Sequence, residues 1–529
     1  MKNKLIIGVI AVVIVVGGIA LLRKTDTGNK VLTGSFSTNI IGLAEAKQSE
    51  VVELKNGDMY NLTASIVKKT IGNSVVKMLA YNDMIPGPMI KVEQGVEITL
   101  NFTNDTDVDT TIHSHGVRLE NKFDGVPDVT QKEVRPGESF TYKIKFPDEG
   151  MYWYHPHIRE DYAQELGLYG NYLVTPVSAN YWGPVNREIF LFLDDILMEN
   201  GAIVPFSRVS ANHTLMGRYG NVMLVNGDDE YRLDAKRGEV IRLYITNSAN
   251  IRPFNFVISG AKMKLVGGDS GAHERDQWID SIILGPSERA IIEVLFDRAG
   301  SYTLQNKTPN FTSKLGAVAV SEDPIISSYA NSFSVLKTHD EVIKSIDPFR
   351  AYFKKEPDKQ IKLSVDFMGN MQGMMGGGHM MSDGTVMSSS IMMSASKDGI
   401  EWEDDMRMMN AMSNADTVGW KIIDQETGKE NMDIDWSFKL GEPVKIRIFN
   451  DPNSMHPMQH PIHFHGQRFL VVARDGVQQT NLVWKDTALV PSGQTVDILL
   501  DPSNPGEWMA HCHISEHLEA GMMFGFKVQ

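Results

Sequence analysis

The sequence predicts an all-β protein made of three tandem Greek-key β-sandwich or barrel domains. From about residue 51 the chain consists of short apolar runs interrupted by Gly, Pro, Asn and Asp, a texture typical of strands and turns. A phrase made of a glycine turn and an alternating strand occurs three times, beginning at Gln94, Arg237 and Leu440. A second phrase, a turn and a strand leading to Gly with an aromatic residue, occurs at 135–154, 285–302 and 491–508. Three copies of one module at this spacing predict three such domains.

The repeats also set the domain boundaries. They predict domains at 51–178, 186–323 and 358–529, with a linker at 324–357. The middle copy has Asn255-Phe256-Val257 where the first copy has His113-Ser114-His115. We therefore expect the second domain to carry no metal ligands and to act as a spacer that holds the outer two together.

The N-terminal residues indicate the location of the protein, and the net charge excludes one class of partner. Residues 1–24 contain an apolar run, Leu5–Leu22, that reaches the lower length limit of a membrane-spanning helix, and residues 25–50 predict a polar tether. We expect an uncleaved membrane anchor, with a cleaved signal and a secreted protein as the alternative. In both cases the body lies outside the cytoplasm, in the periplasm or at the cell surface. A net charge of −15 without a basic run argues against nucleic acid as a partner.

The most informative stretch is His511-Cys512-His513, followed by His517 and Met522. Cys512 is the only cysteine of the chain, so no intrachain disulfide is possible and the thiol is free to bind metal. Thiolate, imidazole and thioether are the ligand types of a blue-copper centre. Because neighbouring side chains of a strand point to opposite faces, His511 and His513 should face away from Cys512 and share a second metal site.

Ten of the fifteen histidines fall into four clusters. The clusters are His113/His115, His155/His157, His460/His463/His465 and His511/His513/His517. A His-x-His pair places two imidazoles on one face of a strand. With two histidines assigned to the Cys512 site, eight remain, which is enough for three more copper ions.

These four patterns resemble the copper motifs of the three-domain multicopper oxidases, a family of laccase-like enzymes with cupredoxin-like domains. The resemblance covers about residues 51–529 and is nearest to bacterial cuprous oxidases that have a Met-rich insert. It implies four copper ions: a type 1, a type 2 and a binuclear type 3 site. By this resemblance type 1 copper would be bound by His460, Cys512, His517 and Met522; type 2 by His113 and His463; and the two type 3 ions by His115, His155 and His513 and by His157, His465 and His511.

The resemblance also implies the chemistry. Cys512 with its neighbours His511 and His513 would carry single electrons from type 1 copper to a trinuclear cluster, where O2 is reduced to water. Asp124 matches an acidic residue that the family uses in O2 reduction, although an Asp-Gly pair is also a common turn. Some bacterial members carry a proton-relay Glu directly after the last type 1 His. This chain has Leu518 there, which leaves Asp124 or Glu519 as the relay.

A methionine-rich segment at 368–412 points to the substrate. It holds 13 of the 29 methionines, interleaved with Gly, Ser and Asn rather than with Leu, Ile and Val. Thioethers on a flexible surface suit Cu(I). Met455, His456 and Met458 lie just before His460, and Met458 matches a substrate-site Met of the cuprous oxidases. The Asp that accompanies it there is replaced by His456.

The sequence therefore predicts an oxidase of Cu(I) that serves copper tolerance. A laccase acting on phenols or aromatic amines, or an oxidase of Mn(II) or Fe(II), is the alternative within the same class, with a small organic reductant as partner in the first case. A copper-sequestering protein is the alternative outside catalysis.

Overall fold

The computed structural model describes residues 34–368 and 397–529, and the backbone of His379–Met380 and Val386–Met387. The all-β prediction is confirmed, since strands hold 49% of the chain and helices 8%. Within these ranges no helix is both long and apolar enough to cross a membrane. The predicted anchor, the start of the tether and most of the methionine-rich segment lie outside the described residues.

The first group of strands forms two sheets that face each other over one apolar core. The strands β1 to β9 are Val51–Glu53, Met59–Ile71, Ser74–Tyr81, Met89–Glu93, Glu97–Asp105, His113–His115, Ser139–Lys145, Gly150–His155 and Gly170–Thr175. The sheet orders are β3-β2-β5-β7 and β1-β4-β9-β8-β6. Strand β5 alternates buried and partly exposed residues, as expected for a sheet with one face on the core.

The second group repeats this arrangement with longer sheets. The strands β10 to β22 are Arg187–Ile196, Met198–Glu199, Ala202–Ile203, Val222–Val225, Tyr231–Arg237, Glu239–Asn247, Phe254–Ser259, Lys262–Gly268, Gly271–Ile279, Ile282–Leu284, Arg289–Phe296, Gly300–Lys307 and Thr312–Pro324. The sheet orders are β13-β10-β15-β20-β17-β18 and β14-β22-β21-β16-β19, and β11 pairs with β12. Every residue of β15 and β20 is buried, because the outer face of this sheet packs against the neighbouring domains.

The third group completes the repeat. The strands β23 to β35 are Lys359–Phe367, His379–Met380, Val386–Met387, Val418–Asp424, Trp436–Phe438, Val444–Asn450, His460–Phe464, Arg468–Arg474, Val477–Gln478, Thr487–Val490, Thr495–Asp501, Gly506–Cys512 and Met523–Val528. The sheet orders are β26-β23-β28-β33-β30-β31 and β27-β35-β34-β29-β32, and β24 pairs with β25.

Helices are short and lie between strands. The α-helices α1 to α5 are Glu160–Ala163, Ala330–Phe333, Asp340–Ile346, Arg407–Met412 and Ser515–Glu519, and 3-10 turns occur at Asn121–Phe123, Asp347–Tyr352 and Asn431–Asp433. Helix α4 lies inside the methionine-rich segment. Residues 34–50, at the end of the predicted tether, lie against the body: Phe36 stacks on Tyr162 at 3.7 Å, and Ser35 bridges to Ser207.

The repeat brings equivalent strands of the first and third groups to the same place. Strand β6 pairs with β8 so that His113 faces His155, and β29 pairs with β34 so that His463 faces His511. In the second group the equivalent pair, β16 with β21, carries no histidine.

Candidate metal centre

The first site is the Cys512 cluster, which we define as His460, Cys512 and His517. The Cys512 Sγ lies 3.5 Å from His460 Nδ1 and 3.9 Å from His517 Nδ1, and the two Nδ1 atoms are 3.3 Å apart. His460 begins β29, Cys512 ends β34, and His517 lies on α5. Met522 is fully buried in the same core, and its carbonyl accepts a hydrogen bond from the Cys512 N–H at 3.0 Å. These three donors are arranged to hold one soft metal ion.

The second site is the eight-histidine cluster. Its members are His113, His115, His155, His157, His463, His465, His511 and His513. All are buried, and they come from the first and third domains in equal number. The Nε2 atoms of His465 and His511 are 3.0 Å apart, and those of His155 and His513 are 3.3 Å apart. Sets of three ring nitrogens lie within 4.8 Å of one another, close enough to share a metal ion.

Hydrogen bonds on the outer side of the rings fix which nitrogen faces inward. His113 Nδ1 donates to the Asp124 carbonyl at 2.8 Å, and His511 Nδ1 donates to the Cys512 carbonyl at 2.9 Å. Each such bond leaves the Nε2 lone pair free on the inner side. Five ring nitrogens of the eight-histidine cluster are buried and have no hydrogen-bond partner within the described residues: His113 Nε2, His157 Nε2, His463 Nε2, His115 Nδ1 and His513 Nδ1. Buried polar atoms normally have a partner, so ring nitrogens without one indicate that the cluster binds a group. Imidazole is a common ligand of copper, so copper fits this cluster.

Burial favours the neutral form in most of these imidazoles, and neutral imidazole is the form that binds metal. Burial first, and then neighbouring imidazoles, lower the pKa well below the usual value in His115, His155, His157, His463, His465 and His513. Burial lowers the pKa of His460 to about 3 and that of His511 to about 4. Burial also raises the pKa of the Cys512 thiol, so a coordinated cation would be needed to favour the thiolate.

The two sites are joined through the chain itself. The rings of His511 and His513 are 5.2 Å apart in the eight-histidine cluster, whereas the Cys512 side chain lies in the other site. Strand β34 ends at Cys512, so His513 reaches the cluster from the turn that follows and not from the strand. The two ligand sets are thus adjacent along the backbone, one peptide bond apart.

The predicted acidic residues differ in their contacts. Asp124 is buried, and its Oδ2 accepts a hydrogen bond from His465 Nδ1 at 2.9 Å. Burial, and then the nearby Asp161 carboxylate, raise the pKa of Glu519 to about 7. Leu518 packs in a small apolar cluster with Val126. Asp124 is therefore the one of the two relay candidates that touches the eight-histidine cluster.

The predicted substrate residues are divided between surface and core. Met455 is 37% exposed, His456 is 6% exposed and Met458 is fully buried. The Met458 carbonyl accepts a hydrogen bond from Asn450 at 2.7 Å, which holds this segment against the third core. A ligand arriving from solvent meets Met455 first.

Three contacts of the site were not foreseen from the sequence. Trp420, on β26, stacks on the His517 ring at 4.0 Å. Asp486, between β31 and β32, accepts a hydrogen bond from His115 Nε2 at 2.9 Å. Glu160 lies 3.6 Å from His157 and is three residues away in sequence, a spacing that could have indicated it. The other two residues are distant in sequence from their partners and carry no local signal.

Comparison with known proteins shows which family has this arrangement of domains. Models described as multicopper oxidase match residues 64–179, 195–323 and 402–529. Among curated proteins, multicopper oxidase MmcO of Mycobacterium tuberculosis is 26% identical, and the match covers 87% of this chain and 85% of that protein. A multicopper oxidase of Staphylococcus aureus is 25% identical, with 85% and 83% covered.

Solved structures agree on the fold. A multicopper oxidase from Campylobacter jejuni, described as a metallo-oxidase, superposes with a TM-score of 0.68 at 23% identity over 93% of this chain and 99% of that one. One from Pseudomonas thermotolerans gives 0.65 at 24% identity over 90% and 100%. The chain therefore belongs to the multicopper oxidase family, and it is a copper-dependent oxidoreductase that couples oxidation of a reducing substrate to reduction of O2.

Proposed function

We propose that this protein oxidises Cu(I) with O2 outside the cytoplasm and so contributes to copper tolerance. The single observation that carries this substrate is the group of exposed thioethers at Met455, five residues before His460, and at the described ends of the methionine-rich segment. The proposal includes four copper ions, one in the Cys512 cluster with Met522 and three in the eight-histidine cluster.

The ligand assignment is the one that the family resemblance implies, and the sets His460/Cys512/His517 and His157/His465/His511 are among the groups whose ligand atoms lie within 4.8 Å of one another. His460, Cys512, His517 and Met522 would hold type 1 copper; His113 and His463 type 2; His115, His155 and His513 one type 3 ion; and His157, His465 and His511 the other. Copper in these sites would supply single-electron transfer from the reducing substrate and reduction of O2 to water. The protein contributes burial, which excludes water from both sites, and outer hydrogen bonds that fix each imidazole.

Exposed thioethers support Cu(I) as the substrate. Met368, Met408, Met412 and Met455 are between 37% and 77% exposed. An exposed Met is poorly explained by core packing, whereas soft Cu(I) prefers thioether ligands. Met406 and Met409 pack against the core that contains the Cys512 cluster, so helix α4 brings the end of the methionine-rich segment close to it.

Hydrogen bonds connect that helix to the Cys512 cluster. Asn410 Nδ2, on α4, donates to the Gly217 carbonyl at 2.8 Å, and Ser413 Oγ accepts from the Leu215 N–H at 2.9 Å. The neighbouring Thr214 carbonyl accepts from Trp420 Nε1 at 2.7 Å, and Trp420 stacks on His517. Copper captured at α4 would therefore lie a few contacts from the residues of the electron-accepting site.

Membrane anchorage and copper tolerance complete the proposal. The apolar N-terminal run would keep the enzyme at the outer face of the membrane, where Cu(I) would be converted to the less permeant Cu(II). The runner-up substrate is a phenol or aromatic amine, in which case the methionine-rich segment would serve only as a cover over the type 1 site. We place Mn(II) and Fe(II) below both, because these harder ions gain little from thioether ligands.

Oxygen uptake by the purified, copper-loaded full-length protein tests the substrate. Cu(I) and a phenol are compared at matched concentrations, with Cys512→Ser as the inactive control. We expect faster uptake with Cu(I), and a raised KM for Cu(I) in the double variant Met408→Leu/Met412→Leu. Met59→Leu is the matched control, since Met59 is 72% exposed in the first domain.

The other outcomes separate the alternatives. Faster uptake with the phenol would make the protein a laccase. Full copper loading without uptake from either substrate would favour copper sequestration. Equal Cu(I) kinetics in the methionine variants and in Met59→Leu would remove the exposed thioethers from the proposal.

A further inference from the structure

The second domain, which carries no histidine of either site, reaches towards the eight-histidine cluster through the side chain of Arg289. Arg289 begins β20 and is 1% exposed. Its Nη1 and Nη2 donate to Oδ1 and Oδ2 of Asp486 at 2.6 and 2.5 Å. Its Nε donates to the Met151 carbonyl of the first domain at 3.0 Å. The guanidinium of this second-domain residue thus contacts both the first and the third domain. Its contact with the Asp486 carboxylate is bidentate, a geometry that only Arg provides.

Asp486 passes this contact on to two histidines from different domains. Its Oδ1 accepts a hydrogen bond from His115 Nε2 at 2.9 Å. Its backbone carbonyl accepts one from His463 Nδ1 at 2.8 Å. The two rings stack at 3.7 Å with an angle of 16° between their planes. Asp486 therefore sets the position of a stacked pair that belongs to the first and third domains.

His115 has both of its side-chain partners at one ring nitrogen. The Asp486 carboxylate and the Thr487 hydroxyl lie 2.9 and 3.0 Å from Nε2 of His115, so Nδ1 is the nitrogen that remains buried without a partner. In His113 and His463 the free nitrogen is Nε2. A hydrogen bond at one ring nitrogen determines which nitrogen can bind metal. Without Asp486 in place, Nε2 would keep the Thr487 hydroxyl, which can donate as well as accept, so His115 could turn over or change tautomer.

The backbone next to His115 is shaped for the same contact. Gly116 has φ +79°, and a Cβ at this position would lie 2.1 Å from Asp486 Oδ2 and 3.1 Å from Arg289 Nη2. A residue with a side chain would push the carboxylate away. The glycine after the second histidine thus lets the carboxylate and the guanidinium approach the ligand loop.

We infer that Arg289 is a positioning residue of the oxidase, by which the second domain fixes the Asp486 carboxylate and, through it, the metal-binding nitrogen of His115. The inference rests on the proposed copper ligands of the eight-histidine cluster, and it is independent of whether Cu(I) or a phenol is the substrate. It gives the second domain a part in building the metal centre, beyond that of a spacer.

Arg289→Lys is the main variant, because it keeps the positive charge and removes the two-pronged contact. The full-length protein is loaded with copper and dialysed against a graded series of a competing chelator. Copper per chain, the type 2 signal in electron paramagnetic resonance and the blue absorption of the Cys512 site are then measured. We expect copper in the eight-histidine cluster to be held about 10- to 100-fold more weakly, the effect usual for loss of an outer partner of a metal ligand. The blue absorption should be unchanged, which also shows that the third domain is folded.

Arg242→Lys is the matched control. Arg242 is a buried arginine of the same domain, and its Nη2 is paired with Glu293 at 2.8 Å, without contact to Asp486 or the histidines. If Arg289→Lys does not fold, Asp486→Asn decides the question, because it keeps the side-chain shape and removes the charge that Arg289 pairs with. It should show the same selective loss of copper.

Three results would overturn the inference. The first is equal chelator resistance of the wild type and the Arg289→Lys or Asp486→Asn variant. The second is equal loss in Arg242→Lys, which would make the effect one of general domain stability. The third, a wild type that binds copper at the Cys512 cluster alone, would overturn the proposed ligand set as well and is distinguished by the wild-type measurement.

Discussion

Replacing Trp420 with Phe should change the Cys512 cluster at a cost that its contacts allow us to work out. Trp420 is fully buried, stacks on His517 at 4.0 Å with 23° between the planes, and lies 4.9 Å from the His460 ring. Its Nε1 donates to the Thr214 carbonyl at 2.7 Å. Leaving that buried carbonyl without a donor costs about 1–3 kcal/mol, and a weakened ring contact adds about 0.5–1.5 kcal/mol. We expect a total loss of about 1.5–4.5 kcal/mol in the free energy of unfolding.

The functional effect is the more specific part of the prediction. A smaller ring lets His517 tilt, so the blue absorption and the reduction potential of the copper-loaded Cys512 site should shift. Trp436→Phe serves as the control, because Trp436 is a buried tryptophan of the same domain that packs on Phe524 and not on a histidine. Thermal unfolding of the metal-free proteins measures the stability change, and redox titration of the absorption band measures the potential.

The results of the two variants separate position from stability. Similar stability losses with a spectral shift only in Trp420→Phe would support the assignment. An unmoved band and potential in Trp420→Phe would refute the idea that this ring positions His517. An equal shift in both variants would mean that any loosening of the third core reaches the site.

The remaining predictions concern the substrate, the core and the cluster. Met455→Leu should raise the KM for Cu(I) several-fold and Met458→Leu less, because Met455 is 37% exposed and Met458 is fully buried; equal KM values in wild type and both variants would exclude this entry point. Gly466→Ala should lower the free energy of unfolding by about 2–4 kcal/mol, because φ is +63° and a Cβ would lie 2.2 Å from the Trp508 ring; an unchanged denaturation midpoint would contradict it. Asp124→Asn should weaken copper retention about 10- to 100-fold, since the Asp124 carboxylate accepts a hydrogen bond from His465 Nδ1 at 2.9 Å and an amide can turn its NH2 group to that place; full retention against a chelator would count against that role.

The repeated pattern of the sequence was sufficient to predict the fold class. Strand alternation, glycine turns and two phrases that recur three times are local signals, and they led to the all-β class that the structure has. The pairing of His113 with His155 and of His463 with His511 is a consequence of those repeats. Local pattern does not determine which surfaces of two domains meet, so the joint cluster was inferred from the count of histidines and from family resemblance.

The residues that contact the metal ligands could not be predicted from the local sequence pattern. Arg289 reaches Asp486 across 197 positions, and His115 reaches it across 371. Such contacts arise from domain packing, and a single sequence contains no spacing that reports it. The structure buries Met458 completely, and its role at the substrate site, which the family resemblance implies, stays a prediction.

Copper content per chain, measured in the wild type and in Cys512→Ser, tests the central claim most directly. The claim is that one ion belongs to the Cys512 cluster and the others belong to the eight-histidine cluster. We predict four ions in the purified wild type and one fewer in Cys512→Ser, with the blue absorption lost and the type 2 signal retained. A wild type with a single ion, or a Cys512→Ser variant that loses all of its copper, would contradict the division into two separately built sites.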